Sequence, residues 1–118
     1  MLTRSNRFHG YGSLRRTYSQ GQTARGSLVG LRFASRPNGR PYRVAVVVSR
    51  KVHKSAVVRN RIRRRVYEVV RQSESVPPAT DLIFTVFSDQ VASIAADQLN
   101  SIISGLLVKA NTQLKKNV

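Results

Sequence analysis

Five arginines crowd into the seven residues 59–65, inside a segment whose apolar residues keep helical spacing. No other feature constrains the fold as much. After Ser55, whose hydroxyl suits the first free amides of a helix, Val58, Ile62, Val66, Val69 and Val70 recur at intervals that line one side of a helix over residues 56–72. Asn60, Arg61, Arg63, Arg64 and Arg71 then point outward, with Arg59 and Arg65 on the flanks. Like charges at neighbouring helical positions each cost roughly 0.2–0.5 kcal/mol, and no acid precedes Glu68 in this run to offset them. Such a helix requires an apolar layer beneath its seam and an anion over its ridge.

The layer is supplied by the rest of the chain. Residues 1–12 are polar, carry Arg4, Arg7 and His9, and read as an arm that orders on a partner. Ser13 is a candidate cap for a short helix to Gln20, with Leu14 and Tyr18 one turn apart and Gly21 ending it. From Ser27 to Ala34 the period changes to two, with Val29, Leu31 and Phe33 on the face assigned to the core. Arg36-Pro37-Asn38-Gly39-Arg40-Pro41 is dense in turn residues, and valine-rich Tyr42–Ser49 is expected to return as an inner strand of a hairpin. Beyond the arginine-rich helix, Pro77-Pro78 breaks the chain and Asp81 leads into a buried strand, Leu82–Phe87. An amphipathic helix follows near Val91–Ala110 through Ala95, Leu99, Ile102, Ile103 and Leu106, and residues 113–118 form a basic tail expected to fray. The order helix, strand, strand, helix, strand, helix specifies one α+β sandwich over residues 13–112, with helices packed on a small sheet.

Charge narrows the partner. Residues 1–71 hold 18 of the 21 basic residues and one acid, a balance of +17, whereas residues 72–118 hold three bases and four acids, a balance of −1. Self-repulsion of this size is tolerated where a polyanion relieves it, and sixteen of the cations are arginine, suited to bidentate phosphate contacts and to stacking on bases. Nucleic acid is therefore expected rather than a membrane. The N-terminus lacks the apolar core of a signal peptide, and the uncharged stretch Gln98–Val108 is far short of the roughly 18 residues of a membrane span. Without cysteine there are no disulfides and no thiol ligands, which agrees with a reducing cytoplasm. A DNA reader is disfavoured because the basic helix has no turn-helix partner or zipper to present it to a groove.

Catalytic side chains are scarce. His9 and His53 are the only histidines, four of the five acids lie at or beyond Glu74, and neither paired carboxylates nor metal-ligand spacing occurs. His53 is read as a surface or RNA-contacting residue, and neither a protein catalytic residue nor a protein metal site is assigned.

Arg59-Asn60-Arg61 followed by Ile62-Arg63-Arg64, and preceded by Ser49-Arg50-Lys51 at the end of a valine-rich strand, resembles the RNR signature of the bacterial ribonuclease P protein subunit. The likeness extends through Asn6-Arg7-Phe8, Leu14, Tyr18, Gly21, Arg25-Gly26, the strands, Asp81 and the last helix, and so spans nearly the whole chain. The resemblance implies a left-handed βαβ crossover. It also implies a protein that assists a catalytic RNA, which with magnesium held mainly by the RNA removes the 5′ leader from precursor tRNA. By that resemblance Arg50, Lys51, Arg59, Asn60, Arg61, Arg63, Arg64 and Arg65 would bind the catalytic RNA. Leu14, Tyr18 and Arg32 would lie in a cleft between the first helix and the sheet that receives the leader. Leu14 stands where the family has phenylalanine, Arg32 where many members have tyrosine, and His53 in place of a glycine. For Leu14 and Tyr18, ordinary core packing fits the residues as well as a cleft does. A structural RNA-binding protein, such as a ribosomal protein, shares the charge and fold class and is the alternative; restoration of cleavage by a ribonuclease P RNA separates the two.

Overall fold

The computed structural model describes Asn6, Phe8 and residues 11–36 and 40–116; nothing is described of the side chains of Tyr11, Ser13 and Lys116. Three helices, α1 (Tyr11–Gln20), α2 (Ala56–Gln72) and α3 (Ala96–Lys116), pack on a sheet of four strands, β1 (Gln22–Ala24), β2 (Val29–Ser35), β3 (Arg43–Val47) and β4 (Thr80–Val86). The strand order is β1-β2-β4-β3. β4 runs antiparallel to β2 and parallel to β3, so β3, α2 and β4 form a crossover unit within a mixed sheet.

This order corrects the expected hairpin. β2 and β3 do not pair, because β4 lies between them, and β3 is an edge strand rather than an inner one. The valine run of residues 44–48 instead reflects a strand in a parallel pair, one face of which is covered: Val44, Val46 and Val48 are buried while Val47 is exposed. The inner position belongs to β4, where Leu82, Ile83 and Phe84 are all fully buried. The three-residue β1 lacks any apolar alternation and escapes the sequence pattern.

Register fixes the two faces. Leu31 pairs with Phe84, Phe33 with Leu82 and Val44 with Leu82, so these residues share one face with Ala24, Val29, Val46 and Val86. On this side α2 contributes Ile62, Val66 and Val70, and α3 contributes Leu99, Ile103, Leu106, Leu107 and Ala110, to one core. Burying each of these valine, leucine or isoleucine side chains stabilises the fold by roughly 1.5–3 kcal/mol. The second face carries Thr23, Gly30, Arg32, Ala34, Arg43, Ala45, Asp81, Ile83 and Thr85, and α1 packs across it against β2 and β4. That packing accounts for the burial of Ile83, which faces away from the main core.

The arginine-rich helix has the bounds its periodicity predicts, with the Ser55 hydroxyl accepting from the Val58 amide at 3.4 Å. The first helix begins at Tyr11, so Ser13 lies inside it rather than capping it. Gly21 closes that helix through its amide on the Thr17 carbonyl at 2.9 Å; a β-carbon there would come within 2.3 Å of Thr17 O and 2.8 Å of Phe33 O, so the close approach of α1 to β2 admits only glycine. The last helix starts later than its pattern suggests. Val91 belongs to a separate 3-10 turn, Asp89–Ala92, while Ala95 is exposed and precedes the helix. α3 then runs to Lys116, through residues expected to fray. The turn at Pro37, Asn38 and Gly39 and the arm residues Arg4, Arg7 and His9 lie outside the described residues.

Candidate RNA interface

Five of the six arginines of α2, those of residues 59–65, fall into three environments. Arg65 donates to the carbonyls of Val91 and Ile94, both at 2.6 Å, and ties the helix to the segment that precedes α3. Arg59 reaches back to the carbonyls of His53 at 3.2 Å and Lys54 at 3.3 Å, fastening the loop that leads into the helix. Arg63 donates to the Asn60 side-chain oxygen. Arg61 and Arg64 are exposed and have no hydrogen bond or ion pair among the described residues. With Val57 and Asn60, and beside Arg65, they border a shallow depression of about 440 Å³. Val57 is 78% exposed, an apolar side chain on the outer face of the first turn.

Arg50 and Lys51 sit exposed in the loop between β3 and α2, also without partners, and so join Arg61 and Arg64 as available cations. His53 uses Nδ1 to accept from the Ser55 amide at 3.0 Å, which makes it a brace of the same loop. The acids offer the ridge little compensation. Glu68 is engaged by Arg71, whose hydrogen bond, more than its charge, holds the Glu68 carboxyl below its ordinary pKa.

On the opposite side of the sheet, α1 and the second face meet along Arg32. Its Nε donates to Thr17 O at 3.3 Å and a terminal nitrogen to Thr23 Oγ1 at 2.7 Å, so this cation braces α1 against β1. Leu14 is half-buried, whereas Tyr18 is 44% exposed. Tyr18 is thus not a core residue, and Leu14 lies between the two readings. At one end of this face Asp81 is buried and accepts two bonds from Arg43, each 2.7 Å, with Arg36 at 3.6 Å. Phe8 lies 4.9 Å from the Arg43 guanidinium, and Asn6 donates to Tyr42 O at 2.8 Å, so part of the N-terminal arm rests against β3. Two exposed apolar residues on this face escaped the sequence reading, Val47 and Phe87. Alternation sets each on the face opposite its buried neighbours, Val46 and Val48 in one case and Val86 in the other, but does not say that this face stays open there.

The acids also bear on metals. Among the described residues no three or more of His, Cys, Asp and Glu gather in a way that could hold an ion, and Asp81 and Glu68 are committed to arginines. The donor set does not fit a protein-held magnesium. No helix among the described residues is long and apolar enough to cross a membrane.

A sequence profile described as Ribonuclease P matches residues 2–111. The chain belongs to this family. A ribonuclease P protein component from a Synechococcus strain, JA-2-3B'a(2-13), is 30% identical over 122 aligned positions that span all of this chain and 91% of that protein. The component from Roseiflexus castenholzii is 46% identical over 56 residues, 47% of this chain and 46% of the relative, so that alignment spans about half of each. Among solved structures, the Staphylococcus aureus RNase P protein superposes with a TM-score of 0.77 at 20% identity, covering 91% of this chain and 96% of that one. The Thermotoga maritima RNase P protein gives 0.75 at 20% identity over 86% and 94%. As a ribonuclease P protein component, the chain is a subunit of the endoribonuclease that processes the 5′ leaders of precursor tRNA, and its partner is the RNase P RNA.

Proposed function

We propose that this ribonuclease P protein works by holding two RNAs on opposite sides of its sheet. Arg61 and Arg64, with Arg63, Asn60, Arg50 and Lys51, bind phosphates of the catalytic RNA. The second sheet face with Tyr18, Leu14 and Arg32 receives the unpaired leader of precursor tRNA. The observation that carries this reading is the pair of free guanidiniums, Arg61 and Arg64, on a helix whose other side is locked into the core. Phosphate oxygens relieve their mutual repulsion, and release of condensed counterions makes the contact favourable and salt-dependent. Arg59 and Arg65 belong to this surface as the residues that position it: one fixes the preceding loop and the other the helix itself. On the leader side, stacking on an exposed ring accepts any base, as a subunit serving many precursors requires.

Hydrolysis in this reading is carried by the RNA with magnesium bound to it. The protein contributes binding and orientation, holding the leader so that the scissile phosphodiester and the RNA-held ions meet. The acids are engaged with arginines or scattered, and the only described imidazole accepts from a backbone amide, so no protein residue is assigned a proton-transfer role. The setting is cytoplasmic, without membrane or DNA partners.

Reconstitution tests the reading. Added to a bacterial ribonuclease P RNA at physiological magnesium, the protein should restore cleavage of precursor tRNA at the mature 5′ end. A protein that binds the RNA yet leaves cleavage at the level of the RNA alone would be a structural RNA-binding protein instead.

A further inference from the structure

The part of the second face that α1 leaves open holds a ring that internal packing accounts for on one side only. The Phe87 amide bonds to Leu28 O at 2.8 Å, carrying the pairing of β2 and β4 one step past the strands. Side chains alternate along a strand, so Phe87 falls on the face of Asp81, Ile83 and Thr85. Gly30, paired with Thr85, lies beneath it: a β-carbon there would come within 3.1 Å of two Phe87 ring carbons. An aromatic ring over a strand glycine covers backbone that has no side chain of its own. Phe87 nonetheless remains 57% exposed, and Val47, partner of Thr85 on β3 and on the same face, is 38% exposed. Among the described residues α1 packs chiefly on β2 and β4, and its contacts leave both side chains open to this extent.

Charge at the other end of the face selects the occupant. Asp81 is one carboxylate between Arg43 and Arg36, Arg40 is exposed nearby in sequence, and Arg16 contributes a guanidinium that donates to Ser35 O. From Asp81 to Phe87 the strand covers about 20 Å at ~3.3 Å per residue. α1 covers Ile83 between these two ends, so they are separate openings of one face. Excess cationic charge at one and an open ring at the other match a polyanion whose units carry flat π-faces, which is single-stranded RNA.

We infer that Phe87 is a second base-stacking platform for the unpaired leader, contacting a different nucleotide from Tyr18. The inference rests on the assignment of the second face to the leader. Stacking on Phe87 lengthens the stretch of leader the protein grips and does so without reading sequence.

The test uses reconstituted holoenzyme and precursor tRNAs with leaders lengthened one nucleotide at a time, together with mature tRNA. Phe87→Ala should weaken precursor binding roughly five- to hundredfold, with no loss for mature tRNA, and only once the leader is long enough to reach the ring. The threshold length should differ from that for Tyr18→Ala. Phe87→Tyr should bind as the parent does. Phe87→Leu keeps an apolar cover over Gly30 without a π-face and should lose as much affinity as the alanine variant, while melting of the free protein stays near the parent's. Full affinity in Phe87→Leu would mean that the ring only covers Gly30, and would overturn the platform. Loss from Tyr18→Ala at some leader length, with none from Phe87→Ala at any, would overturn the platform and leave the leader face standing. Absence of loss from either variant would overturn both.

Discussion

At the scale of single residues, arginines that look interchangeable in sequence have separate tasks. Helical periodicity is enough to set Arg59 and Arg65 on the flanks of α2. It does not say that Arg65 meets the carbonyls of Val91 and Ile94, because those come from a turn 26 and 29 residues away whose position depends on the whole fold. Removing two charge-assisted bonds from partly buried carbonyls has a measurable consequence. Arg65→Ala should lower stability by about 1.5–3 kcal/mol and the melting temperature with it. Arg61→Ala should leave melting unchanged, because Arg61 has no partner among the described residues. Thermal denaturation of the two free variants, side by side, checks this; equal melting would mean that Arg65 is as free in solution as Arg61.

At the scale of elements, α2 was legible almost to the residue, whereas β3 was legible as a strand but not in its pairing. The bounds of α2 follow from a cap, a seam and a break, all local; Ser55, Ile62, Val66 and Val70 carry that information within one segment. The pairing of β3 is decided elsewhere, by whether Leu82–Val86 enters between it and β2, and valine content is the same for an edge strand of a parallel pair as for the return strand of a hairpin. The same division applies to the interface. Patterning found the ridge as a whole, whereas the exposed Phe87 and Val47 required knowledge of which face of the sheet stays open. As a unit the ridge should behave electrostatically: Arg61→Ala, Arg63→Ala and Arg64→Ala combined should weaken assembly with the catalytic RNA and flatten the log–log dependence of affinity on salt by about 0.7–0.9 per lost contact. Binding isotherms over a salt series measure it, and an unchanged slope would move the RNA site away from α2.

At the scale of the molecule, the sheet separates two surfaces, and damage to one should be invisible at the other. Tyr18→Ala should weaken precursor tRNA binding by about 1–3 kcal/mol while affinity for mature tRNA and for the catalytic RNA holds. The ratio of precursor to mature affinity reports this, and a fall in all three together with lower melting would return Tyr18 to a packing role. The strand order has one more consequence, which concerns time rather than space. β4 occupies the slot between β2 and β3 but leaves the ribosome after both, and α2 emerges before the strand that completes its bed. During synthesis the apolar seam of α2 and the inward faces of two unjoined strands therefore wait for residues 80–86. The nascent chain is most exposed to wrong associations in that interval, and its arginine-rich stretch is already able to meet RNA before the domain has closed.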